Sequence, residues 1–204
     1  MDAITDRRSE LLDKIVATLL ANGSADLSLR PLADSVGTSA RLLIYHFDTK
    51  EKLLADALAL VRHRVETSLK ELAARKKPAS LRDSLFMFWD WATDKPNQRY
   101  FRLLFEVDGL SMFNRLKLSR QARQDGASVW IDLIGRAAAN APNNEKLSAT
   151  HATLIIGAIN GLLQDFLSTG DRARTTAALT ELIDLVSNDG NKRRRKSSGK
   201  EAAA

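Results

Sequence analysis

The chain has 204 residues, 44% of them hydrophobic and 27% charged, enough for one small domain and a larger one with a packed interior. The absence of cysteine excludes disulfides, thiolate catalysis and cysteine-ligated zinc. The formal net charge is +6, but residues 191–204 carry +5 of it, and residues 1–54 hold seven Lys/Arg against eight Asp/Glu. Binding to a polyanion would therefore depend on where cations are placed rather than on bulk charge. No apolar run approaches the roughly 20 residues that cross a bilayer, and no leader pattern precedes a cleavage site, so the expected location is the cytoplasm.

The first predicted helix covers residues 9–22, where Leu11, Leu12, Ile15, Val16, Leu19 and Leu20 recur at helical spacing and Asn22-Gly23 marks the stop. Ser28 is a candidate N-cap for a second helix of about two turns, with Pro31 in its first turn and Leu32, Ala33 and Val36 on one face. Gly37 can end that helix in the left-handed conformation, after which Thr38 or Ser39 caps a third helix through Phe47. Two short helices joined by a glycine turn and backed by a supporting helix form a helix-turn-helix, a DNA-binding arrangement.

The Ser28 cap, Leu29-Arg30, Leu32-Ala33, Gly37, Ser39, the block Leu43-Ile44-Tyr45-His46-Phe47 and Thr49-Lys50-Glu51-Lys52-Leu53 together resemble the tetracycline-repressor (TetR) family of bacterial transcriptional regulators over roughly residues 8–55. The chain departs from that pattern at Ala40, Leu42 and Ile44, which leaves Arg41 as the strong base reader of the third helix. The resemblance implies a DNA-facing set of Ser28, Arg30, Thr38, Ser39, Ala40, Arg41, Tyr45, His46 and Lys50. In it, Arg41 donates to guanine O6 and N7 in the major groove, while Tyr45, His46 and Lys50 position the protein on phosphates. Read alone, Arg41 is also compatible with a solvated surface residue and His46 with a core or capping role, whereas Phe47 reads as core.

Residues 50–75 predict one long amphipathic helix ending at Lys76-Lys77-Pro78. Ser80 caps a helix carrying Leu81, Leu85, Phe86, Phe88 and Trp89, and Pro96-Asn97 starts another through about Val107. A break near Asp108-Gly109 precedes helices over about 112–139, and Ala141-Pro142-Asn143-Asn144 reads as a loop. Helices at about 145–168 and 172–188 follow, Gly170 stopping the first and Asp171 capping the second. The fold class is all-α, with a three-helix DNA-binding domain over 1–54, a helical ligand-binding and dimerisation domain over 55–190, and a basic, disordered tail over 191–204 apart from possible helix continuation. That tail could solubilise the chain, add phosphate contacts or resemble a nuclear signal, the last disfavoured by the bacterial resemblance.

Nine of the twelve aromatic residues lie between 86 and 130, which suits either a core or the wall of a ligand cavity. By resemblance this region encloses a small-molecule site whose occupant changes the spacing of two DNA-binding heads. The candidate ligand-binding residues are Phe86, Trp89, Tyr100, Phe105, Trp130, Asn160 and Gln164, with Arg102, Glu106 and His151 as further polar groups, and the walls suit an apolar or aromatic effector. The segment 157–167 is similar to the dimerising segment of the TetR family, where two helices per subunit form a four-helix bundle. It implies a homodimer through Ile155, Ala158, Ile159, Leu162, Phe166, Leu179, Ile183 and Val186, the alternative being an intrachain core.

The expected function is a ligand-responsive repressor that binds a palindromic operator as a dimer. A constitutive DNA-binding regulator without effector is the other reading, and an all-helical enzyme is disfavoured. His46, His63 and His151 are too scattered for a metal site, and no nucleophile elbow or phosphate-cradling glycine loop is present, so no metal, cofactor or membrane partner is expected.

Overall fold

The computed structural model describes residues 3–24, 28–139 and 147–201. No strand occurs among them, and the helices are α1 (Ala3–Asn22), α2 (Leu29–Ser35), α3 (Ala40–Phe47), α4 (Lys50–Lys76), α5 (Leu81–Thr93), α6 (Gln98–Met112), α7 (Arg120–Ala139), α8 (Ala149–Thr169) and α9 (Arg172–Glu201). The expected loop over Ala141–Asn144 lies outside the described residues, as do the side chains of the basic tail. The backbone of α9 runs on to Glu201.

Local chemistry accounts for several helix ends. The hydroxyls of Ser39, Thr49, Ser80 and Ser148 each accept from a backbone N–H in the first turn of α3, α4, α5 and α8. Gly37 and Gly170 take left-handed backbone (φ +70° and +75°) where α2 and α8 finish. Asp171 caps α9 by accepting from the Arg174 N–H at 3.0 Å. The expected break at Asp108-Gly109 does not occur: α6 continues to Met112 because Val107 and Ser111 are buried and Leu110 packs on the core. That burial outweighs the roughly 1 kcal/mol cost of one helical glycine, and the chain turns instead at Asn114 (φ +54°). Residues 113–119 are a loop, so the expected helical stretch over 112–139 is one helix that starts at Arg120.

Two apolar cores share α6. The first joins Leu11, Ile15 and Leu19 of α1, Leu32 and Ala33 of α2, and Leu43 and Phe47 of α3 to Leu54, Leu58 and Val61 of α4; Leu104 and Val107 of α6 close it. The second joins Leu85 and Trp89 of α5 to Ile155, Ile159, Leu163 and Phe166 of α8 and to Leu179 and Ile183 of α9, with Phe101 of α6 completing it. The interior of the N-terminal head is thus not closed at residue 54. By length and composition α8 is apolar enough to cross a bilayer, yet Ala152, Ile155, Ile159 and Leu163 are buried inside the protein.

At the corner between α8 and α9 the Arg174 guanidinium grips Asp165 through two bonds of 2.7 Å. That hydrogen bonding holds the Asp165 carboxyl below the usual carboxylate range, and the nearby Arg174 charge and the Thr169 hydroxyl add to the effect. A carboxylate lowered on folding contributes stability that is present above its unfolded pKa of about 4 and lost as pH falls through the folded value. The Glu66 carboxylate, hydrogen-bonded to Lys70, and the Asp48 carboxylate, hydrogen-bonded to Lys52, are lowered in the same direction. Thermal unfolding followed by circular dichroism should therefore show a melting temperature that drops below about pH 4. Arg174→Gln should melt lower than the parent at pH 6 and converge on it at pH 2.5; a constant gap would remove Asp165 as the cause.

Candidate nucleic-acid interface and effector cavity

The turn between α2 and α3 is set by Gly37: the Thr38 N–H reaches back to Ala33 O at 2.9 Å and the Gly37 N–H to Asp34 O at 3.2 Å, closing the last turn of α2. Helix α3 then buries Leu43 and Phe47 completely and leaves Arg41, Ile44 and Tyr45 exposed, Tyr45 at 68%. A helix anchored by its inner face, with a guanidinium and a phenol on its outer face, has the form that a major groove accommodates.

Most of the other expected DNA-facing residues are at the surface as well. Ser28, Arg30 and Ser39 are exposed, while Lys50 and His46 are half-buried, Lys50 in the first turn of α4. Two details differ from expectation. Ser28 stands at the N-cap of α2, but its hydroxyl makes no capping bond; three residues on, where that bond usually forms, Pro31 has no N–H to offer. The Thr38 hydroxyl is buried without a hydrogen-bond partner and Ala40 packs partly on the first core, so neither projects freely outward.

Sequence reasoning missed the residue that fixes the orientation of α3. Arg8 of α1 donates to His46 O at 3.1 Å and to Asp56 of α4 at 2.5 Å, and its guanidinium lies 4.7 Å from the centre of the Phe47 ring. One side chain thereby ties three helices at the end of α3. Between α3 and α4, Asp48 (φ +62°) makes a tight turn in which the Thr49 N–H reaches Phe47 O at 2.7 Å, and Lys52 pairs with its carboxylate at 2.5 Å.

A cavity of about 590 Å³ lies between the C-terminal half of α4 and helices α5, α7 and α8. Leu69 and Ala73 of α4, Leu85, Met87 and Phe88 of α5, and Ile156 and Ile159 of α8 line it. Of the seven expected ligand residues, Trp130 and Asn160 are in this wall and the other five are not. Trp89 is fully buried and donates from Nε1 to Thr176 Oγ1 at 2.8 Å; Tyr100 stacks on Trp91 at 6.2 Å; Phe105 packs on Phe101. Phe86 lies under the Arg82 guanidinium, and Gln164 is exposed. These aromatics build the second core rather than the wall. Phe88 and Trp130 face the cavity and meet Phe101 of α6 edge-on or tilted, at 5.9 and 6.2 Å.

Helix α6 also carries Glu106, which does not point at the cavity. Its carboxylate accepts from the Ser24 N–H at 2.7 Å, at the turn that follows α1. Gly23 adopts left-handed backbone there, and a side chain in its place would come within 2.9 Å of the same carboxylate. Of the other polar candidates, Arg102 is exposed, and His151 hydrogen-bonds Ser148 at the start of α8.

The expected dimer residues divide sharply. Ile155, Ile159, Phe166, Leu179 and Ile183 are buried in the second core, and Ala158, Leu162 and Val186 are half-buried. The outward strip of α8 is formed instead by Leu154, Gly157, Gly161 and Gln164, and that of α9 by Ala177, Ala178, Glu181 and Leu185. Leu154 and Leu185 are 56% and 69% exposed, and a methyl group placed on Gly157 or Gly161 would meet nothing within 4 Å.

Residues 11–57 match the family model of bacterial regulatory proteins of the tetR family. Over that segment the chain is similar to the TetR family. Three solved structures share the fold. A TetR-family transcriptional regulator from Rhodococcus sp. is 20% identical, with a TM-score of 0.69 over 89% of this chain and 98% of that one. A transcriptional regulator from Pseudomonas aeruginosa PAO1 is 17% identical, with a TM-score of 0.68 over 94% of each chain. A transcriptional regulator from Saccharomonospora viridis, in complex with choline, is 20% identical, with a TM-score of 0.64 over 88% of this chain and 96% of that one. No curated protein matches the chain by sequence.

The matched segment begins within α1 and ends early in α4, so it contains the helix-turn-helix but neither Arg8 nor Glu106. Both groups that lock the head to its surroundings therefore lie outside the stretch that identifies it. Each acts across a long sequence separation, 38 residues for Arg8 to His46 and 82 for Ser24 to Glu106.

Proposed function

We propose that this TetR-family regulator is a homodimeric repressor, acting on a palindromic operator in the cytoplasm and released by a small molecule held in the cavity between α4, α5, α7 and α8. The observation that carries the DNA-binding part is α3, anchored by Leu43 and Phe47 with Arg41 and Tyr45 turned outward. Arg41 would read guanine, with Tyr45, His46, Lys50, Ser28, Arg30 and Ser39 near the phosphates. Two heads related by a two-fold axis would enter major grooves about 34–36 Å or a multiple apart.

The effector part is supported by the cavity itself and by the choline bound to the Saccharomonospora viridis regulator of the same fold. Helix α6 gives a physical route from site to head, because Phe101 meets two wall residues while Glu106, five positions on, holds the turn after α1. A ligand that binds the DNA-incompetent arrangement about 100-fold better shifts the equilibrium toward release by about 2.7 kcal/mol.

Fluorescence anisotropy against the DNA upstream of the gene and a scrambled control, at fixed salt, tests this reading. Arg41→Ala should cost roughly 1–3 kcal/mol on the operator and relax sequence preference, whereas Lys50→Ala should weaken all DNA alike and flatten the salt slope by about one. Equal loss on operator and scrambled DNA for Arg41→Ala would remove it as a base reader. A chain ending at Gly190 should keep its selectivity, separating the head from the basic tail.

A further inference from the structure

The cavity is sharply divided in character. Its body is apolar, with Phe88, Trp130, Ile134 and Ile159 in the wall, but three cations border it, Lys70 and Lys77 at the end of α4 and Arg136 on α7. No carboxylate is among the described residues that line it. Among the described residues the one acidic group that touches these cations is Glu66, whose Oε1 lies 3.0 Å from the Lys70 ammonium and 2.8 Å from the Arg136 guanidinium. A single oxygen thus serves two cations, and both keep donors to spare.

Lys77 has no ion-pair or hydrogen-bond partner for its ammonium among the described residues, and it stands where α4 ends in left-handed backbone (φ +46°). Arg75 and Lys76 in the preceding turn add to the positive field. The Asn160 amide, also in the wall, has no hydrogen-bond partner among the described residues. The three cationic side chains are exposed, so the charge sits at the mouth and the apolar surface behind it.

Resting on the reading of this cavity as the effector site, we infer that the effector is an amphiphilic anion, an aliphatic or aromatic body carrying one terminal acidic group. The body fills the space against Phe88 and Trp130, and the acidic group meets Lys77 and the spare donors of Arg136 and Lys70. Charge-assisted bonds of this kind are stronger than neutral ones, and a small number of placed polar groups sets the orientation of a ligand in an apolar site. A cationic amphiphile of equal size would meet the same body with a repelled head.

The test uses three probes with one ten-carbon body and different heads: decanoate, decanol and decyltrimethylammonium, below micelle-forming concentrations. Binding to the full chain is followed by tryptophan fluorescence, with Trp130 in the wall as reporter, and by calorimetry. Decanoate should bind at least about tenfold more tightly than either other probe. Lys77→Gln, which removes an unpaired surface charge, should cut that advantage several-fold and leave decanol unchanged, and adding Arg136→Gln should abolish it. Equal affinity for all three heads, preference for the ammonium, an advantage insensitive to both substitutions, or no binding of any probe would each overturn the inference. Operator release is measured separately. Decanoate that binds as described but leaves the protein on operator DNA would sink the effector reading while the anion assignment stood, and release by decanol or the ammonium at concentrations as low as or lower than decanoate needs would do the reverse.

Discussion

Replacing Leu154 and Leu185 together by glutamate should leave a folded monomer that has lost the palindromic operator but still binds a half-site. Both side chains are more than half exposed in the single chain, so the substitutions remove little packing and should change its stability by less than about 0.5 kcal/mol. In a two-fold interface the same positions would bury unpaired charges against a flat strip made by Gly157, Gly161 and Ala178, at a cost that breaks the dimer. Without the partner the second head no longer benefits from a raised local concentration, and affinity for the full palindrome should fall by about 10²–10⁴-fold. Light scattering coupled to size exclusion reads the mass, and anisotropy on full and half operators reads the binding. If the variant stays dimeric with unchanged operator affinity, the interface lies elsewhere. The exposed pair Met112-Phe113 at the end of α6 would then be the next apolar surface to mutate.

Trp89→Ala should destabilise the fold by about 3–5 kcal/mol, a large share of the total of about 5–15 kcal/mol for a protein of ordinary stability. Trp89 is fully buried in α5, its ring sits 6.5 Å from that of Phe166 on α8, and its indole N–H is satisfied by Thr176 on α9. One side chain therefore joins three helices, and its removal leaves a large void as well as an unpaired hydroxyl. The ion pairs that also tie α5 to α9, Arg172 with Asp90 and Arg82 with Asp184, are exposed and worth at most about 1 kcal/mol each, so they do not compensate. Trp89→Phe separates the contributions: it keeps most of the packing and loses the hydrogen bond, for about 1–2 kcal/mol. Urea unfolding should show the midpoint moving with little change in slope. A loss under about 1 kcal/mol for Trp89→Ala would mean that α5 does not close this core.

Trp89 also marks where reading the sequence stops. Its position among aromatics is equally compatible with a cavity wall and a core, since periodicity reports that a face is apolar but not what it faces. The same ambiguity governs α8. Leu154, Gly157, Ile155 and Ile159 make more than one side of that helix apolar or small; the sequence offers them together, with Gly161, as one wide face for a partner, and does not tell that Ile155 and Ile159 are buried inside the chain while Leu154, Gly157 and Gly161 stay outside. Larger side chains release more surface from water when buried, so the intrachain core takes them and leaves the flat strip outward.

The elements whose signals are local are legible from the residues themselves. Gly37 and Gly170 in left-handed backbone, the capping hydroxyls of Ser39, Thr49 and Ser80 and the end of α4 before Pro78 all follow from interactions within about four residues. So does the resemblance of the head to the TetR family. The tertiary structure alone decided what depends on distant segments meeting: the continuation of α6 through Gly109, the clamp of Arg8 on His46, the grip of Glu106 on Ser24, and a cavity whose cations come from the end of α4 and from α7. Helix caps and turns are short-range and nearly additive along the chain, whereas a site is a coincidence of side chains brought together only by packing, and no window of sequence contains it.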